Sequence, residues 1–351
     1  MHALLRRLSQ CLLLVASLAS SPAAAVTIDW TFVGDPGNAC DTQLQGCFGS
    51  VAYSYNIATY EVTNAQYAEF LNAVADTDPN ALYNTSMGNP SPGSFGFGGI
   101  TRTGRSGSYS YSAIAGRGDM PVNYVSFYDA LRFANWLHNG QVTGAQDSTT
   151  TEDGAYTITA QGISDNSITR NPGATIFLTS EDQWYKAAYY NALSTSYFDY
   201  PAGSDSSTTC AVPGAGPNIA NCQHAVGDLT DVGSYTGSAS PYGTFDQGGN
   251  LFEWNEAIIL GTRGVRGGTF YGQRDDTLNL AASTRRREFP TIEHWTIGFR
   301  VASIPEPGTG LLVMTGLLGL ACRQKRRGSR RGATRRFPLR ACDSPASGEN
   351  L

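Results

Sequence analysis

The sequence predicts a fold in which a few helices and short strands are joined by long irregular loops. Glycine accounts for 40 of the 351 residues, well above the average of about 7%. Aromatic residues make up 11% of the chain. Three segments show the hydrophobic spacing of amphipathic helices, whereas the strand candidates are short. This combination favours loops that aromatic side chains hold in place, in one large domain or two small ones.

The first residues, MHALLRRLSQCLLLVASLASSPAAAV, have the layout of a secretory signal peptide. Arg6 and Arg7 precede an apolar run over residues 11–19, and a small-residue step ends at Ala25. The run is far shorter than the roughly 20 apolar residues of a membrane-spanning helix. We therefore expect residues 1–25 to be removed on export, and we exclude them from the fold.

Three helices are predicted, and each begins with a hydroxyl N-cap followed three residues later by a side chain that can bond back. The pairs are Thr63 with Gln66, Ser126 with Asp129, and Ser180 with Gln183. Apolar residues follow at helical spacing, and Gly140 ends the second helix. The inner faces contain Tyr67, Phe70, Leu71 and Val74; Ala130, Phe133, Ala134 and Leu137; and Trp184, Ala187 and Ala188. We expect these to be core helices.

Strand candidates and long loops fill the remaining sequence. The strand candidates are residues 52–57, 174–178, 264–269 and 296–302. The stretches rich in Gly, Ser, Thr and Asn are residues 84–118, 141–172 and 197–243. Structureless loops of this length are uncommon inside a compact domain. We therefore expect short strands, turns or ion-held segments within them.

Four cysteines lie between the two ends of the chain: Cys40, Cys47, Cys210 and Cys222. In an oxidising compartment an even number of cysteines indicates disulfides, and four cysteines allow three pairings. Short spacing favours Cys40–Cys47 and Cys210–Cys222. A reactive or copper-binding pair would need cationic groups or a metal near the thiolates, and the flanking sequence supplies neither. We interpret all four as structural.

The C-terminal part begins with a Pro-Glu-Pro triplet at 305–307, continues as an apolar stretch to Cys322, and reaches a basic cluster at 323–327. Apolar residues followed by cations are typical of a membrane stop, although this stretch is short for a permanent span. The order of parts resembles the PEP-CTERM sorting signal of Gram-negative, polysaccharide-secreting bacteria. The resemblance implies that residues 304–327 form a transient transmembrane helix in the inner membrane. An exosortase would cut near the triplet and leave the domain at the cell surface or in the extracellular matrix.

A further segment, residues 328–351, follows the basic cluster. It is rich in arginine and has almost no apolar periodicity, which predicts a disordered tail. Signals of the PEP-CTERM type normally end soon after their basic cluster. The tail is therefore a departure from the pattern, and it puts efficient processing in question.

The charge is distributed unevenly along the chain. The segment from Val26 to Ile304 contains 13 of the 24 Lys and Arg residues and 26 of the 29 Asp and Glu residues, a net charge near −13. So acidic a surface argues against nucleic acid as a partner. It is consistent with cation binding or with solubility alone.

Six segments in this order resemble the signatures of the formylglycine-generating enzyme (sulfatase-modifying factor) family. They are YNIATYEVTNAQYAEFLNAV, MPVNYVSFYDALRFANWL, FLTSEDQWYKAAYY, GTFDQGGNLFEW, VRGGTFYG and IGFRVAS. Together they span about residues 49–303, essentially the whole of the predicted domain, residues 26–303. The resemblance implies a single α+β domain, related to C-type lectins, with little regular secondary structure and bound calcium.

Active members of this family oxidise a cysteine of an unfolded sulfatase to formylglycine, using oxygen and copper held by two cysteines. Residues 267–270 match the glycine pair, small hydroxyl residue and aromatic residue that precede those cysteines. The cysteine positions themselves correspond to Gly272 and Thr277. Copper(I) favours thiolates, whereas glycine offers no ligand and a threonine hydroxyl is a weak one. The resemblance therefore predicts the scaffold without its copper or its thiol-dependent reaction, and we assign no catalytic or cofactor-binding residue.

The resemblance also implies two calcium sites. The first would use the side chains of Asp246 and Glu253 and the backbone oxygens of Gly249 and Leu251. The second would use Asn218, the Ile219 carbonyl and a later acid, either Asp228 or Asp231. Carboxylate, amide and carbonyl oxygens suit a hard cation such as calcium. Turn capping by the same polar groups is the alternative.

The remaining polar residues give weaker signals. His138, His224 and His294 form no metal-binding motif, and we interpret each as an ordinary histidine. Asp275 and Asp276 fit a solvated turn better than an acid–base pair. Residues 285–287, three consecutive arginines, are either a solvated charge run or a grip for an acidic polymer or peptide carboxylate.

The sequence thus favours an exported, non-catalytic binding or structural module, stabilised by calcium. A polysaccharide or a protein is a possible ligand. The alternative is a divergent formylglycine-generating-type oxidase that acts on a protein cysteine or another substrate. Bound copper or iron would indicate the oxidase, whereas calcium alone would indicate the binding module.

Overall fold

The computed structural model describes residues 25–94, 96–272 and 276–305. The predicted signal peptide, sorting segment and tail lie outside these ranges, apart from Ala25, Ile304 and Pro305. The described residues up to Ile304 belong to one compact unit. None of the helices in the described ranges is long and apolar enough to cross a membrane.

The helices in the described residues are α1 (Asn64–Val74), α2 (Phe127–His138), α3 (Ala160–Ser164) and α4 (Glu181–Tyr189). The three predicted helices are confirmed as α1, α2 and α4, and each of their capping boxes is present. The short helix α3 was not predicted. Single 3₁₀ turns are η1 (Thr85–Gly88), η2 (Pro92–Ser94) and η3 (Asp276–Leu280).

The strands are short, as the sequence predicts. In chain order they are β1 (Trp30–Val33), β2 (Asp41–Gln43), β3 (Gly46–Phe48), β4 (Tyr55–Ala58), β5 (Ile100–Thr103), β6 (Ser110–Ala113), β7 (Ile176–Leu178), β8 (Tyr190–Asn191), β9 (Ser196–Tyr197), β10 (Thr209–Cys210), β11 (Ile219–Ala220), β12 (Phe252–Ile259), β13 (Thr262–Arg266), β14 (Arg286–Glu288), β15 (Ile297–Gly298) and β16 (Val301–Ser303). All four strand candidates overlap strands. The longest strand, β12, was not predicted.

Two four-stranded sheets organise the domain. The first has the order β1-β4-β16-β7, with antiparallel neighbours throughout. The second has the order β14-β13-β12-β15, in which only the β12–β15 pair is parallel. The pairs β5–β6, β8–β9 and β10–β11 lie within or beside the long loops, which confirms that those loops contain short strands.

The main core lies where α1 and α2 pack against each other and α2 packs on β7. Aromatic rings fill it: Phe133 lies 6.0 Å from Tyr67, 5.3 Å from Phe70 and 5.4 Å from Phe299, measured between ring centroids. Aromatic pairs at such distances stabilise beyond the area they bury. The core therefore joins the two helices to the last motif of the chain, IGFRVAS.

Both local disulfides are confirmed. Cys40 is bonded to Cys47 across the β2–β3 hairpin, with 5.5 Å between their Cα atoms. Cys210 is bonded to Cys222, with a Cα separation of 4.9 Å. Each disulfide closes a short loop. The four cysteines of the described domain are therefore structural.

Candidate functional site

The paired glycines form a tight corner directly after β13. Gly267 and Gly268 have φ angles of +102° and +78°, which side chains rarely tolerate. A Cβ at Gly268 would lie 2.5 Å from Leu280 Cδ1, in η3. A Cβ at Gly267 would lie 3.0 Å from the Gln247 carbonyl oxygen. The glycine pair is therefore needed for η3 and the loop before β12 to approach the end of β13.

Gly272 and Thr277 lie on either side of residues 273–275, which are outside the described ranges. Both are half-buried, and Thr277 is in the 3₁₀ turn η3. Neither residue has a thiol, and the four cysteines of the described residues are all in disulfides. Within the described ranges, no group of three or more His, Cys, Asp or Glu residues is placed to hold a metal ion. The predicted turn at Asp275 and Asp276 lies in this gap, apart from the backbone of Asp276.

An aromatic cluster adjoins Gly272. The rings of Tyr271 and Trp295 lie 4.4 Å apart, edge to face. Phe97 lies 5.0 Å from Trp295 and 4.9 Å from Phe270. Phe97 and Phe270 are fully or almost fully buried, whereas Tyr271 and Trp295 are half-buried. The cluster therefore forms an aromatic wall whose outer members reach solvent beside the glycine corner.

Two of the three histidines in the described residues lie against this wall. His224 lies 3.7 Å from the Tyr271 ring, and His294 lies 5.1 Å from the Trp295 ring. Burial lowers the pKa of His294 from its ordinary value, which favours the neutral imidazole. His138, at the end of α2, instead contacts the Thr175 hydroxyl at 2.8 Å. The positions of these histidines beside the aromatic wall could not be predicted from the sequence. Only the adjacency of His294 and Trp295 is visible there.

The four predicted ligands of the first calcium site have different environments. Glu253 is fully buried, and its carboxylate accepts from Arg300 Nε at 2.6 Å, Arg300 Nη2 at 2.7 Å and Trp184 Nε1 at 2.8 Å. The oxygens of Glu253 therefore already have strong partners. Gly249 turns with a φ of +92°, and the amide of Leu251 donates to Glu61 Oε1. Asp246 accepts from the Gly233 amide at 2.6 Å.

The predicted ligands of the second site also have partners of their own. Asp228 accepts from both terminal nitrogens of Arg117, at 2.8 and 2.9 Å. Asn218 uses its side-chain oxygen to accept from the Thr208 hydroxyl at 2.9 Å. Asp231, the alternative acid, lines a cavity of about 420 Å³ beside the start of α1.

One small cavity does bring together residues from both predicted sites. Its volume is about 20 Å³, and it lies beside Asp246 and Ile219. The hydroxyl residues Thr208, Tyr235, Ser238, Ser240 and Thr244 also line it. Burial raises the pKa of Asp246 to about 6. A lone carboxylate surrounded by neutral oxygens is chemically suited to one weakly held hard cation.

Sequence reasoning missed a buried carboxylate, Glu61. It is 2% exposed, and it accepts hydrogen bonds from the Asn250 side chain and the Leu251 amide, both at 3.2 Å. Burial, followed by the charges of Glu253 and Asp246, raises its pKa well above the ordinary value. The positive charge of the Arg300 guanidinium acts on all three carboxyl groups, those of Glu61, Glu253 and Asp246. Nothing in the sequence around Glu61 distinguishes it from a surface acid.

The three consecutive arginines lie at one edge of the second sheet. Arg285 is paired with Glu181 at 2.5 Å, and Arg286 Nε donates to the Asn279 side chain at 2.8 Å. Arg287 is exposed and lines two adjoining cavities. Its side chain makes no hydrogen bond or ion pair within the described part of the chain. Arg285 and Arg286 are thus held by neighbouring side chains, whereas Arg287 is not held by any described residue.

Residues 50–304 match the sulfatase-modifying factor enzyme 1-like domain, and the chain belongs to this family. Residues 303–327 match the PEP-CTERM protein-sorting motif. The motif implies export and recognition by exosortase-type sorting machinery. No curated protein sequence matches the chain.

Similar solved structures cover most of the domain. CarF has a TM-score of 0.50 and 20% sequence identity, with 80% of this chain and 100% of that chain covered. Treponema denticola variable protein 1 has a TM-score of 0.46 and 16% identity, covering 81% of this chain and 98% of its own. PvdO from Pseudomonas aeruginosa has a TM-score of 0.41 and 17% identity, covering 79% of this chain and 92% of its own. The predicted α+β class is confirmed by the family match, the strand and helix content, and the likeness to CarF.

Proposed function

We propose that this domain is an exported, non-catalytic binding module that acts at the cell surface or in the extracellular matrix. The main support is the pair Gly272 and Thr277, which occupies the positions where the resemblance places two copper-binding thiols. The glycine corner and the core around it are intact, so the scaffold persists without the ligands of its known chemistry. Copper(I) binding needs soft ligands, and the cysteines of the described domain are bonded to one another.

The proposal is tested by incubating the exported domain with copper, oxygen and a sulfatase-type cysteine peptide. Mass spectrometry should find no formylglycine in the peptide. Copper-dependent turnover would refute the proposal and support the divergent oxidase instead.

A matched variant tests whether the thiol positions are correctly assigned. The double substitution Gly272→Cys and Thr277→Cys should allow the domain to bind about one copper(I) ion, since two thiolates form a soft site. The unsubstituted domain should bind none at the same concentration. Equal copper binding by both proteins would mean that the two positions are not the ligand positions.

We also propose that calcium binds weakly in the small cavity beside Asp246 and Ile219. The support is the Asp246 carboxylate, which no arginine of the described residues binds directly, together with the hydroxyl groups around it. With one carboxylate, the affinity should be in the range of weak extracellular sites, with a Kd of about 10⁻⁴–10⁻³ M. Glu253 and Asp228 take no part, because Arg300 and Arg117 hold them.

Thermal unfolding in calcium and in EDTA tests this site. At a calcium concentration of about ten times Kd, binding should stabilise the domain by about 1.4 kcal/mol. The calcium effect should disappear in Asp246→Asn, which keeps an acceptor for the Gly233 amide but removes the charge. Asp231→Asn is the control and should keep the effect. A native melting temperature that is the same in calcium and EDTA would exclude the site.

A further inference from the structure

The strand β14 is the open edge of the second sheet. It pairs with β13 on one side, through the antiparallel partners Val265 with Arg286, Gly264 with Arg287, and Arg263 with Glu288. In the order β14-β13-β12-β15 it is the terminal strand of the sheet, as far as the described residues extend. An open strand edge presents unpaired backbone donors and acceptors. It can therefore accept a further strand.

Two adjoining cavities flank this edge, with volumes of about 470 and 500 Å³. Both are lined by Gln45 and by the arginines at 285–287; we call this surface the arginine groove. On one side it reaches the β12–β13 turn, where Ile258 and Leu260 are 50% and 85% exposed. On the other side it reaches η3 through Leu278 and Asn279. Arginine side chains thus line the groove along β14, and exposed apolar side chains line it at the β12–β13 turn.

The arginines differ in how free they are to bind a ligand. Arg285 shares the Glu181 carboxylate with Arg266, so two guanidinium groups are balanced by one acid. Arg286 is held through its Nε by Asn279 and lies 6.0 Å from the Phe252 ring. Arg287 is exposed, with no ion-pair partner among the described residues. Glu288 also lines one of the two cavities. The four arginines still outnumber the two glutamates, so the local charge is positive, in a domain whose net charge is near −13.

We propose that the arginine groove binds an extended acidic peptide segment, which adds to the sheet as a strand beside β14. This inference rests on the proposed function, and it names the ligand class of the binding module. Guanidinium groups bind carboxylates with short, charge-assisted hydrogen bonds. The open edge supplies backbone hydrogen bonds, as in peptide recognition by strand addition. Neighbouring strand residues face opposite sides, so adjacent acids in the peptide can meet Arg286 and Arg287 separately.

A peptide fits this surface better than an anionic polysaccharide does. A polyuronate would bring carboxylates but no backbone amides for the strand edge. It also would not bury the exposed side chains of Ile258 and Leu260, which apolar peptide side chains can cover. The ligand is therefore a segment with a run of acidic residues next to apolar ones.

Fluorescence polarisation with the exported domain tests the proposal, using a short labelled peptide with a run of glutamates flanked by valines. Arg287→Ala should weaken binding about tenfold, as expected for a lost hydrogen bond to a charged group. Its melting temperature should match the native one, because Arg287 has no ion-pair partner to lose in the described structure. Arg105→Ala is the matched control: it removes an exposed arginine from the β5–β6 loop, and binding should not change.

Modified ligands test the strand pairing and the charge requirement separately. A peptide N-methylated at alternate backbone amides should bind at least tenfold more weakly, since it cannot pair with a strand edge. A lysine-for-glutamate peptide should not bind. The proposal is overturned if the native peptide does not bind, if Arg105→Ala weakens binding as much as Arg287→Ala, or if N-methylation has no effect. Arg287-dependent binding of a polyuronate in place of the peptide would also overturn it. None of these results changes the formylglycine assay, so the two proposals can fail independently.

Discussion

At the scale of single residues, the most informative group is the buried set of carboxyl groups around Arg300. Glu253 and Glu61 are the same residue type, and both are buried. Glu253 is bound by Arg300 through two nitrogens, which stabilises its charge. Glu61 instead accepts from an amide side chain and a backbone amide. Its raised pKa means that folding favours the protonated form relative to the unfolded chain.

Replacing each of these acids by glutamine should therefore have different effects. Glu253→Gln leaves Arg300 buried without its counter-charge, and we expect a loss of about 3–5 kcal/mol in the free energy of unfolding. Glu61→Gln removes no such charge pair and should cost about 1 kcal/mol, for one poorly satisfied hydrogen bond. Urea unfolding of the two variants at neutral pH gives both values. Equal losses would contradict this assignment of charges.

Some single-residue features could be predicted from the sequence, and others could not. The glycine pair and the missing thiols could be located from the motif alone, because both depend on residue identity at known positions. The partner of Glu253 could not be located in this way. Arg300 lies 47 residues further along the chain, and only the fold brings its guanidinium to the carboxylate. The same applies to Asp228 and Arg117, which are 111 residues apart.

At the scale of secondary structure, local signals decided what could be predicted. The helices α1, α2 and α4 have capping boxes and apolar stripes, which depend on residues within one or two turns. The strand β12 lacks a comparable signal. Its buried positions include Glu253 and Asn255, and polar residues interrupt the alternation by which strands are recognised. Those side chains are tolerated because distant residues contact them, and that information is not local.

At the scale of the whole molecule, charge is separated between surfaces. The arginine groove is cationic, whereas the cavity lined by Asp29, Glu61, Asp119 and Asp231 contains no cation among its described lining residues. Composition predicted the excess of acid, and the excess remains consistent with exclusion of nucleic acid. It could not predict that Arg117 and Arg300 would be held by carboxylates while Arg287 is exposed at a strand edge, because these placements depend on tertiary packing.

Several of the acids are buried, so the stability of the whole domain should depend on pH in an unusual direction. Burial, only partly offset by hydrogen bonds from Ser126, raises the pKa of Asp129 to about 7; Asp246, with a pKa of about 6, adds to the effect. In the unfolded chain both groups release their protons near pH 4, at about the ordinary Asp value. The folded state therefore binds more protons between about pH 4 and pH 7, and stability must fall as pH rises through this window.

Urea unfolding at pH 5 and pH 8, in EDTA, measures this dependence. We expect the free energy of unfolding to be about 2 kcal/mol higher at pH 5 than at pH 8. The pKa shifts of Asp129 and Asp246 would by themselves allow a larger difference. Asp129→Asn imitates the protonated acid and keeps an acceptor for the Ser126 amide, so it should reduce the difference between the two pH values. An unchanged difference in this variant would show that Asp129 is ionised in the folded protein. Burial beside Ser126 and Arg132 would then be compatible with a charged carboxylate at the start of α2.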